Sequence, residues 1–173
     1  MIKHDSLRKL INFVLFQAGW FACVLYPGMA SAALAFGIVG LHLALISQKP
    51  GREWQFILLG TLLGSLLDGL WFQLGVMSDV TGEVRWTPVW LVGVWAVFLT
   101  TLAHSLAWMG SRAWLPFALA PFAGPFAYWS AAQLGTVTLP QLLPSLLALA
   151  VGWLVIFPLL MYLKQRLYPE ITP

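Results

Sequence analysis

Residues 60–71 read GTLLGSLLDGLW, an apolar run that carries one carboxylate, Asp68, and no other charge. An acid at mid-bilayer costs about 3 kcal/mol unless it is neutral, paired or wetted, so it marks an organising or functional position. The run extends from about Glu53 to Val76, enough to cross a bilayer, which takes roughly 20 apolar residues. Gly60, Gly64 and Asp68 recur at i+4 and share one helix face. Small residues on such a face admit a second helix at close range, as in a GxxxG contact. That helix belongs to this chain, to a second copy, or to a membrane-protein partner docking through the Gly60/Gly64 face. For Asp68 itself two roles stand open: a neutral, hydrogen-bonded acid joining helices, or a carboxylate that carries protons or binds substrate.

Outward from this helix the rest of the chain repeats its character. Of 173 residues, 60% are hydrophobic and 9% charged, and the mean hydropathy is +0.84. A soluble domain needs roughly 25% charged residues to cover itself, so a water-soluble fold is excluded. Six apolar runs follow one another, at about 10–26, 29–47, 53–76, 88–109, 113–134 and 141–163. They fill the length and leave no room for a soluble domain. The expected fold is all-α, a single integral-membrane domain over 1–173 with six transmembrane helices. Ala30-Ser31-Ala32 resembles a signal cleavage site, but the first apolar run is longer than a signal core, and cutting there shortens the second span. It reads as an uncleaved helix.

Lysines and arginines orient the bundle. With six spans, Lys3, Arg8, Lys9, Lys49, Arg52, Arg112, Lys164 and Arg166 share one side, and Arg85 stands alone on the other. Both termini are therefore expected on the cytoplasmic side. The net charge of +3 suits anionic headgroups. Because the basic residues are scattered, nucleic acid is not an expected partner, whereas membrane lipid is. Among ten tryptophans, Trp54, Trp108, Trp114, Trp86 and Trp90 fall at span ends, where indoles anchor in the headgroup layer. Trp95 and Trp153 fall near mid-membrane, where an N–H needs a partner. Cys23 stands alone in the sequence, so no internal disulfide forms, and it reads as a small apolar filler.

Depth counting at about 1.5 Å per residue sorts the intramembrane polar groups into two levels. The outer level holds Asp68 with Gln73, Trp95, Tyr128 and Gln133. The inner level holds His42, Thr100, Thr101, His104 and Ser105, and Gln17 lies between the two. Asp68 and His104 come out some 15 Å apart along the normal, which argues against a catalytic dyad. The same mismatch, with no HxxxH or ExxH spacing, argues against His42, His104 and Asp68 as metal ligands. No metal or cofactor is expected. In the fourth span Thr100, His104 and Trp108 recur at i+4, with Thr101 and Ser105 beside them, as a polar stripe. In the fifth span Pro121 and Pro125 each lack an N–H, so a kinked or broken helix is expected around Gly124-Pro125, just below Tyr128.

NFVLFQAGWFACV (12–24), LLGSLLDG (62–69), PVWLVGVWAVFLTTLAHSLAW (88–108) and GPFAYWSAAQLGTV (124–137) together resemble a family of small bacterial inner-membrane proteins of unknown function. The resemblance covers nearly the whole chain and points to Gln17, Trp20, Asp68, Trp90, Trp95, Thr101, His104, Ser105, Trp108, Gly124, Pro125 and Tyr128. Its members are often encoded beside enzymes that modify membrane fatty acids and beside oxidative-stress regulators, which implies an envelope-lipid role. Two function classes follow. One is an accessory protein or small enzyme of lipid modification or envelope stress, with Asp68, His104 and Tyr128 as candidate reactive groups. Gln17, Trp95, Thr101, Ser105, Gly124 and Pro125 would then line its cavity. The other is a small transporter or channel that uses Asp68 and a kinked fifth helix. A purely structural membrane subunit is the third reading.

Overall fold

A computed structural model describes residues 4–80, 82 and 86–171. Lys3 and Arg85, which enter the charge count above, lie outside them. Six α-helices account for most of the chain: α1 (Asp5–Leu25), α2 (Met29–Leu45), α3 (Pro50–Gln73), α4 (Val89–Leu99), α5 (Leu115–Gln133) and α6 (Leu142–Leu167). Of these, α1, α3 and α6 are long and apolar enough to cross a membrane, and α2 and α4 are shorter apolar helices. Two two-residue strands, β1 (Ser78–Asp79) and β2 (Val137–Thr138), pair antiparallel.

Local chemistry sets the helix ends. Pro50 opens α3, where its fixed φ suits a helix and its missing N–H is not needed. At the other end Gly75 takes φ +69°, and the N–H groups of Gly75 and Val76 bond back to Phe72 and Trp71. Gly135 repeats this after α5, with φ +81° and bonds from Gly135 and Thr136 to Ala132 and Ala131. Both are glycine-terminated Schellman ends, and each leads into one strand of the β1–β2 pair. Asp68 stands seven residues before Gly75, and Tyr128 seven before Gly135. Tying the two helix ends together therefore brings the acid and the phenol to one level.

Helices α1 to α4 pack together, α5 packs on α6, and α3 also meets α6. The Gly60/Gly64 face is filled from within the chain: Leu99 and Leu160 lie on Gly60, and the Trp95 indole lies on Gly64. The close approach anticipated there is thus α3 against α4 and α6 of the same molecule. It is not a free docking face, because Trp95 occupies the space a partner would need.

Three expectations are revised. The fourth apolar run is not one helix. α4 ends at Leu99, turns follow, and a short 3-10 helix covers Ala107–Ser111, so Thr100, His104 and Trp108 do not form a helical stripe. The cause is local: Thr100 Oγ1 donates to the Val97 carbonyl (2.7 Å) and Thr101 Oγ1 to that of Phe98 (2.6 Å). These back-bonds compete with the helical ladder. Conversely, α5 is one helix through Pro121 and Pro125, so of the kinked or broken helix expected there the break is not found. The first helix also starts ahead of the run read at about 10–26: α1 begins at Asp5, which pairs with Arg8 (3.0 Å) and Lys9 (2.6 Å).

Candidate functional site

Two polar clusters occupy opposite ends of one face of α3. Glu53, Ile57, Gly60, Gly64, Asp68 and Trp71 follow one another at helical spacing and are all buried.

Around Asp68, which is fully buried, the partners come from α4 and α5. Trp95 Nε1 donates to Oδ2 (2.7 Å) and the Tyr128 hydroxyl to Oδ1 (2.6 Å). The rings are locked in turn. Trp95 stacks on Trp153 with centroids 5.4 Å apart and planes 12° off parallel, and Tyr128 meets the edge of Trp71 at 5.6 Å. Each indole sits over a glycine: Trp95 over Gly64, Trp153 over Gly124 and Trp71 over Gly152. A Cβ at any of these positions would fall inside the ring. Gln73 and Gln133, assigned to this level by depth, are exposed and take no part.

Tyr128, Trp95 and Trp153 also form part of the floor of a large apolar groove of about 960 Å³ between α1/α4 and α5/α6. Gln17, Trp20 and Gly124 line it as well. Asp68 lies behind that floor, holding Tyr128 and Trp95 in place. Thr101, Ser105, Pro125 and His104 do not line the groove. Pro125 is buried in α5, and the hydroxyl of Thr101 is spent on Phe98.

At the other end, Glu53 gathers His42 and His104. His42 Nε2 lies 2.6 Å from Oε1, and His104 Nε2 lies 3.0 Å from Oε1 and 3.3 Å from Oε2. The imidazoles meet edge to face at 4.8 Å. His42, Glu53 and His104 each offer one ligand atom, and these atoms lie within 4.8 Å of one another. The carboxylate that joins the histidines is therefore Glu53 and not Asp68.

The break after α4 builds this end, and its loose backbone groups are taken up by side chains. Asn12 Nδ2 donates to Thr100 Oγ1 (3.0 Å) and to the Thr100 carbonyl (3.3 Å). Asn12 Oδ1 accepts from the Ser105 hydroxyl (2.6 Å) and N–H (3.2 Å). Lys164 Nζ donates to the Leu102 carbonyl (2.8 Å). Irregular backbone at membrane depth is tolerated only where protein satisfies it in this way. The result turns His104 toward Glu53 and leaves it partly accessible. A recess of about 50 Å³, lined by Arg8, Lys9, Lys49, Glu53 and His104 among others, opens there.

Asn12, Glu53 and Lys164 were not among the sequence candidates. Glu53 and Lys164 sit near helix ends, where charge reads as boundary. The signal that finds Glu53 is its register with Gly60, Gly64 and Asp68.

Residues 9–159 match a family described as protein of unknown function, DUF2878. The chain belongs to the DUF2878 family. No curated protein and no solved structure matches it. Asn12, His42, Glu53, Asp68, His104 and Tyr128 all lie inside the DUF2878 region, whereas Lys164 lies beyond it.

Proposed function

We propose that this DUF2878 protein is a six-span protein of a bacterial inner membrane, with both termini cytoplasmic, that holds an apolar chain of a membrane lipid in the groove between α1/α4 and α5/α6. The orientation is supported by the basic residues, since Arg8, Lys9, Lys49, Arg52 and Lys164 gather at the Glu53 end of the bundle. A role beside lipid-modifying chemistry, as accessory protein or small enzyme, fits that ligand. The transporter reading rests on Asp68 and a kinked α5, and Asp68 is engaged by Trp95 and Tyr128 behind the groove floor.

The observation that carries the proposal is the groove itself. At about 960 Å³ it falls at the upper end of ligand-site volumes. Its walls are aromatic and aliphatic, and Gln17, Ser130 and Gln133 are polar residues along it.

The test is lipid retention. Protein purified in mild detergent should carry a defined lipid by native mass spectrometry. Ala127→Trp, which fills the groove beside Tyr128, should lose it while keeping its melting temperature. Equal lipid content in both proteins would sink the reading. A deletion strain should show a changed membrane-lipid profile; unchanged lipids together with altered solute uptake would move the function to transport.

A further inference from the structure

We propose that His42, Glu53 and His104 form a binding site for one divalent transition-metal ion. The site lies at the opposite end of α3 from the Asp68 level, and its argument does not rest on the groove.

Three separate elements deliver the ligands: α2 gives His42, α3 gives Glu53, and the segment after α4 gives His104. Two imidazoles and one carboxylate form the donor set of open zinc sites and of non-haem iron sites. Imidazole nitrogen favours first-row transition ions over magnesium or calcium, which take oxygen ligands. Ligand atoms within 4.8 Å of one another would have to close to about 3.4 Å to share a tetrahedral ion at about 2.0–2.2 Å, an inward movement of the imidazoles by about 1 Å.

Burial separates this cluster from a surface cluster of the same residues. The side chains of His42 and Glu53 are 1% and 2% exposed. The carboxylate meets two imidazoles, and no lysine or arginine is paired with it among the described salt bridges. His104, at 13% exposed, forms the open side. The recess beyond it, at about 50 Å³, exceeds the roughly 10–15 Å³ a water needs. A fourth ligand, water or an anionic oxygen, can therefore come from that side.

Outer contacts set both the orientation and the cost. Asn12 Nδ2 lies 3.3 Å from His42 Nδ1, which places the His42 hydrogen on Nε2, toward Glu53. A metal takes that position, so the single ring hydrogen of His42 moves to Nδ1. The Asn12–His42 contact is then given up, while the bonds from Asn12 to Thr100 and Ser105 continue to hold the broken backbone.

The experiment uses full-length protein in detergent, stripped with chelator and titrated separately with Co²⁺ and Zn²⁺. Wild type should take up one ion per chain, with visible Co²⁺ d–d absorption that Zn²⁺ displaces. His104→Gln and Glu53→Gln should each weaken binding by about 100-fold or more, the upper end of what outer-shell changes alone cost. Asp68→Asn should bind as wild type does. Should either ligand variant fail to fold, wild type alone decides: Zn²⁺ should raise its melting temperature and chelator should reverse the rise. No stoichiometric uptake, no melting shift, or undiminished uptake by folded His104→Gln would each overturn the site and leave a hydrogen-bonded His–Glu–His cluster.

Discussion

Glu53 and Asp68 are two carboxylates on one face of one helix, about 22 Å apart by helical rise, and their surroundings differ in kind. Asp68 meets an indole and a phenol, both rigid and both locked over glycines. Glu53 meets two imidazoles, groups that exchange protons and bind metals. Asp68 lines neither the groove nor the recess among the described residues, whereas Glu53 and His104 line the recess that leads outward from the other acid. A buried acid in a membrane helix is therefore not one kind of signal. The donors around it separate a lock that shapes a groove floor from a centre that can do chemistry.

The most disruptive way to break the comparison lies between the two acids. Gly64→Leu would drive a side chain into the Trp95 indole, which cannot retreat because it stacks on Trp153. The expected outcome is loss of monodisperse folded protein on size exclusion, beyond the about 1–3 kcal/mol of ordinary overpacking. Second in size is Glu53→Ala, which leaves the buried His42 and the partly accessible His104 facing a cavity. Removing one partner of a buried ionic contact costs about 3–5 kcal/mol, so the melting temperature should fall steeply. Asp68→Asn should cost far less, about 1 kcal/mol. Its carbonyl can still accept from Trp95, and its amide can donate to the Tyr128 hydroxyl, which also accepts. Equal losses in Glu53→Ala and Asp68→Asn would erase the distinction.

What was legible in the sequence follows from the range of each signal. Apolar runs and glycine punctuation are local, so six helices could be read from them. Depth counting placed Trp95 and Tyr128 near Asp68, and the matched offsets to Gly75 and Gly135 explain why rise alone sufficed. Straight-helix arithmetic failed at Thr100, where hydroxyl back-bonding ends α4 and redirects His104. Around Asn12 and Glu53 the reading failed for another reason. Their partners lie on other segments of the chain, separated from Glu53 by 11 residues for His42 and 51 for His104, and no periodicity reports such pairings. A single polar residue in an apolar run, such as Asn12, also reads the same whether it is idle or holds a broken backbone together.

Tyr128→Phe sharpens the Asp68 side. It removes one of two donors while keeping the ring against Trp71, so Asp68 keeps only the Trp95 bond. A buried acceptor left short costs about 1–3 kcal/mol. Melting should drop by that amount, with a change in tryptophan fluorescence because Trp71, Trp95 and Trp153 surround the site. An unchanged spectrum and melt would mean that Tyr128 does not hold Asp68.

The smallest effect concerns an exposed pair at the Glu53 end, which serves as contrast to the buried cluster. Arg52, one residue from Glu53, bonds Glu170 after α6, and its guanidinium holds the Glu170 carboxyl below the usual glutamate range. A carboxylate whose folded pKa is lowered stabilises the fold fully above its unfolded value, about 4.3. That contribution is lost as pH falls through the lower folded value. Exposed pairs contribute little and are screened by salt. Glu170→Gln should therefore leave the melting temperature at neutral pH nearly unchanged. It should remove only a shallow, salt-sensitive part of the decline below about pH 4.3. A large loss at neutral pH in high salt would show that the Arg52–Glu170 contact braces the Glu53 end, and that its openness is controlled from the surface.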